Sequence, residues 1–274
     1  MLRRCTVNSR AALDTGVITP ETQFIDRGVL EYGGREIRNA DEKAHGVVTP
    51  ADILAQSLNI GSAQIAIQLG REGFYHYVRR FGFGRLTEVD LANEVPGIVR
   101  EPGDPAWSES DLATNAFGQG LSVTPIQMVR AVAAVANGGA LVRPHIVDYI
   151  VSNGRAIPVP VKVVGNAIKP ETAAVLTRLL VATVEKGIGG EAAVPGYRIA
   201  GKTGTAEIPS DEGYVEQRTI VSFIGYAPAD DPKFVILVKL DRPTVEVWGS
   251  RSAAPVFRRV AQQLFRLMRI PPAE

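Results

Sequence analysis

The run Tyr197-Arg198-Ile199-Ala200-Gly201-Lys202-Thr203-Gly204-Thr205-Ala206-Glu207-Ile208 decides the fold. It reads as a strand over residues 197–208, followed by a turn-forming stretch, 209–213, and a second strand-like run, 219–227. Residues 228–232 make another short connection before the apolar run 234–240. Connections this short join antiparallel neighbours, because a parallel pair needs a crossover of a dozen or more residues. The last third therefore predicts an antiparallel sheet. A closing helix over 253–268 carries Val256, Phe257, Val260, Leu264 and Leu267 on one side, with Arg258, Arg259 and Arg266 as a solvated face.

Working back from that sheet, the pattern turns helical. Thr49-Pro50 combines an N-cap with a proline at the first helical position and predicts a short helix over 51–56. Gly61 opens a second helix over 62–69, Gly70 ends it, and a third over 73–81 is closed by Gly82 and Gly84. Residues 96–105 form a loop, and Thr124-Pro125 repeats the cap-plus-proline start for a buried helix over 126–136. Residues 142–164 suggest a peripheral hairpin or irregular strands, and 170–186 a long helix with Val175, Leu176, Leu179, Leu180 and Val184 as its apolar stripe. The fold class is α+β, an antiparallel sheet flanked by helices. Residues 11–274 read as one domain, mainly helical over 11–195 and strand-rich over 196–274.

Composition removes several function classes. An apolar fraction of 45% and a charged fraction of 22% argue against disorder and against a membrane bundle. Thirty basic against twenty-nine acidic residues leave a net charge of +1, so no overall field draws nucleic acid. Cys5 stands alone, and His45, His76 and His145 are scattered, so no metal site and no cofactor are expected. The first ten residues carry positive charge with no apolar run behind them, which fits neither a signal peptide nor an anchor.

Two motifs compete for Lys202. Gly196-Tyr197-Arg198-Ile199-Ala200-Gly201-Lys202-Thr203 matches the phosphate-loop string, which would make the protein a nucleotide binder. That loop has to open a helix whose N-terminus faces phosphate, whereas Gly204, Thr205 and Pro209 follow here. Alternatively, Lys202-Thr203-Gly204 on a strand pairs with Ser57-Leu58-Asn59 at a helix junction 145 residues earlier. These two elements resemble the K-T-G and S-x-N motifs of the serine penicillin-recognising enzymes. Ala12-Leu13-Asp14-Thr15-Gly16, Ile37-Arg38-Asn39, His45-Gly46, Phe117-Gly118-Gln119-Gly120, Thr124-Pro125-Ile126-Gln127-Met128, Ala136-Asn137-Gly138-Gly139, Val142-Arg143-Pro144 and Ala254-Pro255-Val256-Phe257 follow in order. In that order the chain is similar to the transpeptidase domain of class B penicillin-binding proteins, the septal and elongation type.

The resemblance implies a penicillin-binding protein/serine β-lactamase-like fold and a D,D-transpeptidase acting on D-Ala-D-Ala stem peptides of peptidoglycan. In that family a serine of an S-x-x-K motif forms an acyl-enzyme, and β-lactams acylate the same serine. By motif match Ser57 relays protons, Asn59 bonds a substrate amide, and Lys202 supplies positive charge beside the relay. Thr203 and Thr205 place hydroxyls near the substrate carboxylate, Thr205 lends a backbone N–H to an oxyanion hole, and Gly204 lets a substrate strand approach. The resemblance further implies stem peptides and β-lactams as ligands, the cell-wall synthesis machinery as partner, and the extracytoplasmic face of the bacterial cytoplasmic membrane as location. The plainer uses of these residues stay open: Ser57 and Asn59 are both suited to cap a helix starting near Ile60, and Phe117 to Gly120 to form a turn. Trp107 and Trp248 have no assignable role, and His45 reads as structural.

One element of the family pattern is missing. None of the seven lysines, at 43, 162, 169, 186, 202, 233 and 239, has a serine three places before it, so the sequence contains no S-x-x-K. The motif belongs roughly ten residues before Ala12-Leu13, where residues 1–10 do not match. Ser9 has no lysine one helical turn on, and neither it nor Cys5 replaces the nucleophile. The expectations are a chain that does not acylate, and an incomplete sheet that lacks its N-terminal strands and leaves 234–240 with an unpaired apolar edge and the polypeptide poorly soluble or partly ordered. A binding module that holds stem peptides without cutting them is the alternative.

Overall fold

The computed structural model describes residues 7–210 and 213–273. Helix α1 (Val7–Thr15) is followed by four short strands, β1 (Phe24–Asp26), β2 (Val29–Tyr32), β3 (Arg35–Arg38) and β4 (Gly46–Val48). β1 pairs with β4 and β2 with β3, both antiparallel. Four helices come next: α2 (Pro50–Gln56), α3 (Asn59–Arg80), α4 (Glu109–Ala116) and α5 (Pro125–Ala136). β5 (Ala140–Arg143), β6 (Tyr149–Ser152), β7 (Arg155–Pro158) and β8 (Lys162–Asn166) then form the pairs β5–β8 and β6–β7. Helix α6 (Pro170–Glu185) leads into the main strands β9 (Ala200–Ser210), β10 (Gly213–Ala227) and β11 (Phe234–Asp241), and α7 (Ala253–Leu267) closes the chain.

The predicted antiparallel sheet is present, in the order β11-β10-β9. Strand alternation divides its side chains between two cores. Phe223, Phe234, Ile236 and Val238 pack with Phe257, Ala261 and Phe265 of α7. Ile224, Tyr226, Val235 and Leu237 face the larger core, where α5 and α6 contribute Met128, Val132, Leu176 and Leu180. The sheet is thus the middle layer between α7 and the helical part. Among the described residues β11 pairs only with β10, so its outer edge is open as expected.

Several expectations shift. β9 starts at Ala200 rather than at 197, because Gly196, at φ +81°, turns the chain and Val194 bridges Tyr197 just before it. The buried face of α7 is Ala253, Ala254, Phe257, Ala261 and Phe265, whereas Val260 is 40% and Leu267 77% exposed. Alanines let that helix sit close to the sheet, so the seam follows the small residues instead of the largest aliphatics. The break expected at Gly70 is a kink (φ 77°, ψ 160°) within α3 rather than its end. Residues 7–10 form the first turn of α1, so the ordered domain begins before residue 11. Arg10 there is buried, with its guanidinium 5.1 Å from the centroid of the Phe81 ring. Cys5 and the rest of 1–6 lie outside the described residues. Among those described, no helix is long and apolar enough to cross a membrane.

Candidate functional site

The site grows from the end of a very short helix. Thr49 and Asp52 form a reciprocal capping box around Pro50, which fixes where α2 begins. Seven residues later Ser57 stops the helix in the left-handed conformation, φ 63° and ψ 45°. A residue with a Cβ there costs roughly 1–2 kcal/mol, and the turn recovers part of it because Leu58 N–H bonds back to the Ile53 carbonyl at 3.0 Å. The sharp reversal sets the Ser57 side chain on the wall of an open cavity. Ser57 is therefore the C-cap of α2, and the N-cap of α3 is Leu58, with no side-chain bond.

The capping use of Ser57 and Asn59 is not what the structure contains. Asn39 does that work: its Oδ1 accepts the Ile60 N–H at 3.2 Å, while its Nδ2 donates to Asp26 Oδ2 at 2.6 Å and to the Lys43 carbonyl at 3.0 Å. Asn59 Nδ2 donates to the Arg38 carbonyl at 2.8 Å. Together these bonds fasten the β3–β4 connection onto the first turn of α3. The Asn59 Oδ1 is buried and has no hydrogen-bond partner among the described residues.

From the other side comes Lys202 of β9, 7% exposed. Its Nζ donates to Ser57 Oγ at 2.8 Å and lies 3.3 Å from the Thr203 carbonyl. Gly249 seals this region. A Cβ built on it would stand 2.6 Å from the carbonyl oxygens of both Gly204 and Ser222, and its N–H points at Thr205 Oγ1 at 3.5 Å. The absence of a side chain there lets the 248–250 segment lie directly on β9.

The resulting cavity holds about 350 Å³ and is lined by Asn39, Ala40, Asp41 and His45, by Gln56, Ser57 and Leu58, and by Ile188, Thr203, Thr205, Trp248 and Ser250. Of the residues expected in the site, Ser57, Thr203 and Thr205 line it, Lys202 touches Ser57 from behind, Gly204 lies beneath Gly249, and Asn59 sits buried at the junction. Phe117, at the start of the glycine-containing turn, packs instead with Ile37, Ile60, Ala63 and Ala113. His45 and Trp248, to which the sequence assigned no part in the site, both line the cavity. Asn39, in sequence only a motif position, and Asp41 line it as well. The Asn39 cap joins residues 21 positions apart, which no local pattern reveals.

The electrostatics of the walls differ. The β9 wall carries the Lys202 ammonium and two threonine hydroxyls. The lining residues of the β3–β4 connection carry the Asp41 carboxylate, to which His45 Nε2 donates at 3.1 Å and the Lys43 N–H at 3.3 Å. Burial pushes the Asp41 carboxyl upward, but those hydrogen bonds outweigh it and hold the group below the usual carboxylate range. Among the described residues no three His, Cys, Asp or Glu side chains converge as metal ligands. Downstream of the Gly196 to Thr203 string the chain continues as β9 and opens no helix.

Fold and groove together define the class: an α+β penicillin-recognising protein, with a K-T-G strand set against an S-x-N turn. The penicillin binding protein transpeptidase domain family matches residues 6–262. Stage V sporulation protein D of Bacillus subtilis is 38% identical over 259 residues, covering 91% of this chain and 39% of that protein. Peptidoglycan D,D-transpeptidase FtsI of Escherichia coli is 31% identical over 267 residues, covering 95% of this chain and 42% of that protein. Penicillin binding protein 3 of Mycobacterium tuberculosis, solved in its apo form, superposes with a TM-score of 0.91 at 30% identity, over 100% of this chain and 64% of that one. The same protein solved with ampicillin gives 0.91 at 31% identity, over 100% of this chain and 63% of that one. The chain belongs to the penicillin-binding protein transpeptidase family. It spans about two fifths of the length of the curated relatives it matches.

Proposed function

We propose that this stretch of chain carries the stem-peptide groove of a peptidoglycan D,D-transpeptidase and binds its ligand without being acylated. The juxtaposition of Lys202 Nζ and Ser57 Oγ at 2.8 Å, beside the hydroxyls of Thr203 and Thr205, carries the reading. A peptide's terminal carboxylate is drawn to the Lys202 charge and accepts hydrogen bonds from the two threonines. Ser57 Oγ accepts from the ammonium, so its own hydrogen turns elsewhere and is acidified by the adjacent positive charge. That makes the hydroxyl a good hydrogen-bond donor to the bound peptide; in an acylating relative the same geometry would suit a proton relay. Asn59 braces the turn from below through the Arg38 carbonyl.

The covalent step needs a serine with a lysine one helical turn on, and the sequence has none. For this polypeptide the supported activity is reversible recognition of D-Ala-D-Ala peptides, with β-lactams competing for the same groove. The whole protein would act with the cell-wall synthesis machinery at the extracytoplasmic face of the bacterial cytoplasmic membrane. No metal or cofactor takes part in this reading.

Calorimetric titration with Nα,Nε-diacetyl-L-lysyl-D-alanyl-D-alanine tests it. The free-acid peptide should bind about tenfold or more tighter than its C-terminal amide, the usual worth of a hydrogen bond to a charged group. Lys202→Gln should remove that difference. Equal binding of acid and amide, or a Lys202→Gln protein that discriminates as before, would contradict the assignment.

A further inference from the structure

The cavity has charge of both signs, on different walls. Lys202 stands behind Ser57 on the β9 side, and Asp41, in the β3–β4 connection, lines the same cavity. The intervening lining is apolar at Leu58, Ile188 and Trp248. An ionised carboxylate offers about four acceptor positions. Asp41 receives the Lys43 N–H, the His45 imidazole and its own main-chain N–H. As the carboxylate only accepts, His45 Nε2 is the donor, which fixes the group's orientation and leaves acceptor capacity on a residue that lines the cavity. The Asp41 side chain is 47% exposed, so a ligand reaches it without rearrangement. Asn39 anchors the segment through Asp26, Lys43 and Ile60, so the carboxylate rides on a braced loop.

We propose that Asp41, oriented by His45, is a recognition point for a primary ammonium on the bound peptide, on the wall away from Lys202. The inference rests on the stem-peptide reading above and specifies it. The groove takes a dipolar ligand whose carboxylate lies at the lysine–threonine wall and whose amine-bearing side chain reaches the Asp41 wall. Glu42, the next residue, is exposed and does not line the cavity. It provides a matched control for charge removal.

The test compares Nα-acetyl-L-lysyl-D-alanyl-D-alanine, which keeps its ε-ammonium, with the Nα,Nε-diacetyl peptide. The wild-type chain should prefer the free ammonium by about three- to fivefold at low salt, the scale of a partly exposed ion pair. The preference should shrink as salt is raised. Asp41→Asn should bring the ratio to one, Asp41→Glu should restore much of it, and Glu42→Gln should leave the ratio as in the wild type. Equal affinities for the two peptides in the wild type, or a preference that survives Asp41→Asn, would overturn the role of Asp41 while leaving the stem-peptide reading intact. Failure of both peptides to bind would overturn that reading and this one with it.

Discussion

Single residues tie the helices of the body together, and Asp14 shows how. It is buried at the end of α1, where one oxygen accepts the Lys169 N–H at 2.7 Å and the other the Tyr77 hydroxyl, with Arg80 Nη1 at 3.7 Å. Its main-chain oxygen also receives Lys169 Nζ at 2.9 Å. Burial alone would raise the Asp14 carboxyl. The bonds from Tyr77, Lys169 and Thr172 and the charge of Arg80 prevail, so it sits below its ordinary value. A carboxyl depressed on folding contributes stability above the unfolded value of about 3.9 and loses it as pH falls through the folded value. Asp14→Asn should therefore cost about 1–3 kcal/mol at pH 7, and its gap to the wild type should narrow once the pH drops below about 4. Urea unfolding at neutral and acidic pH measures this, and a pH-independent gap would refute it. Tyr77 shares the same bond: burial and the Asp14 carboxylate push its hydroxyl up to about 12.

At the scale of elements, the groove depends on two segments lying closely on β9: the end of α2 and the 248–250 segment. Gly249→Ala would force a methyl against the Gly204 and Ser222 carbonyls at 2.6 Å. Backbone cannot yield as a flexible side chain does, so the 248–250 wall should lift, at a cost of about 1–3 kcal/mol. The expected outcome is a lowered melting temperature together with a several-fold loss of D-Ala-D-Ala peptide affinity. Unchanged affinity would show that Trp248 and Ser250 lie outside the working groove. The elements that build this contact were largely legible. Thr49-Pro50 announced α2, the short connections announced β9 to β11, and K-T-G with S-x-N announced the meeting of Lys202 and Ser57. What stayed hidden has physical reasons. Strands of three or four residues such as β1 to β4 are too short to show an alternation, and the wall they support owes its shape to Asn39, which acts across long sequence distances. Helix α4 carried a readable start, since Ser108 and Asp111 form a capping box, yet its few apolar residues gave no stripe. The apolar face of α7 was misread because its contacts are alanines and phenylalanines four residues apart rather than its largest aliphatics.

For the molecule as a whole, the helical part and the sheet share one large core, so the groove between them is carried by the fold itself. Helix α1 packs into the same core and reaches the first turn of α3, where Asn8 Nδ2 donates to the Ser62 carbonyl at 2.8 Å. In the proposed function these walls recognise a penicillin-like ligand, and the sequence lacks the serine–lysine pair that would bond to one. Equilibrium titration with a fluorescent penicillin, followed by denaturation of the same samples, tests that combination most directly. The account predicts a saturable anisotropy rise that Lys202→Gln weakens and that disappears completely on denaturation. Fluorescence that stays on the polypeptide after denaturation, or no saturable binding at all, would contradict it.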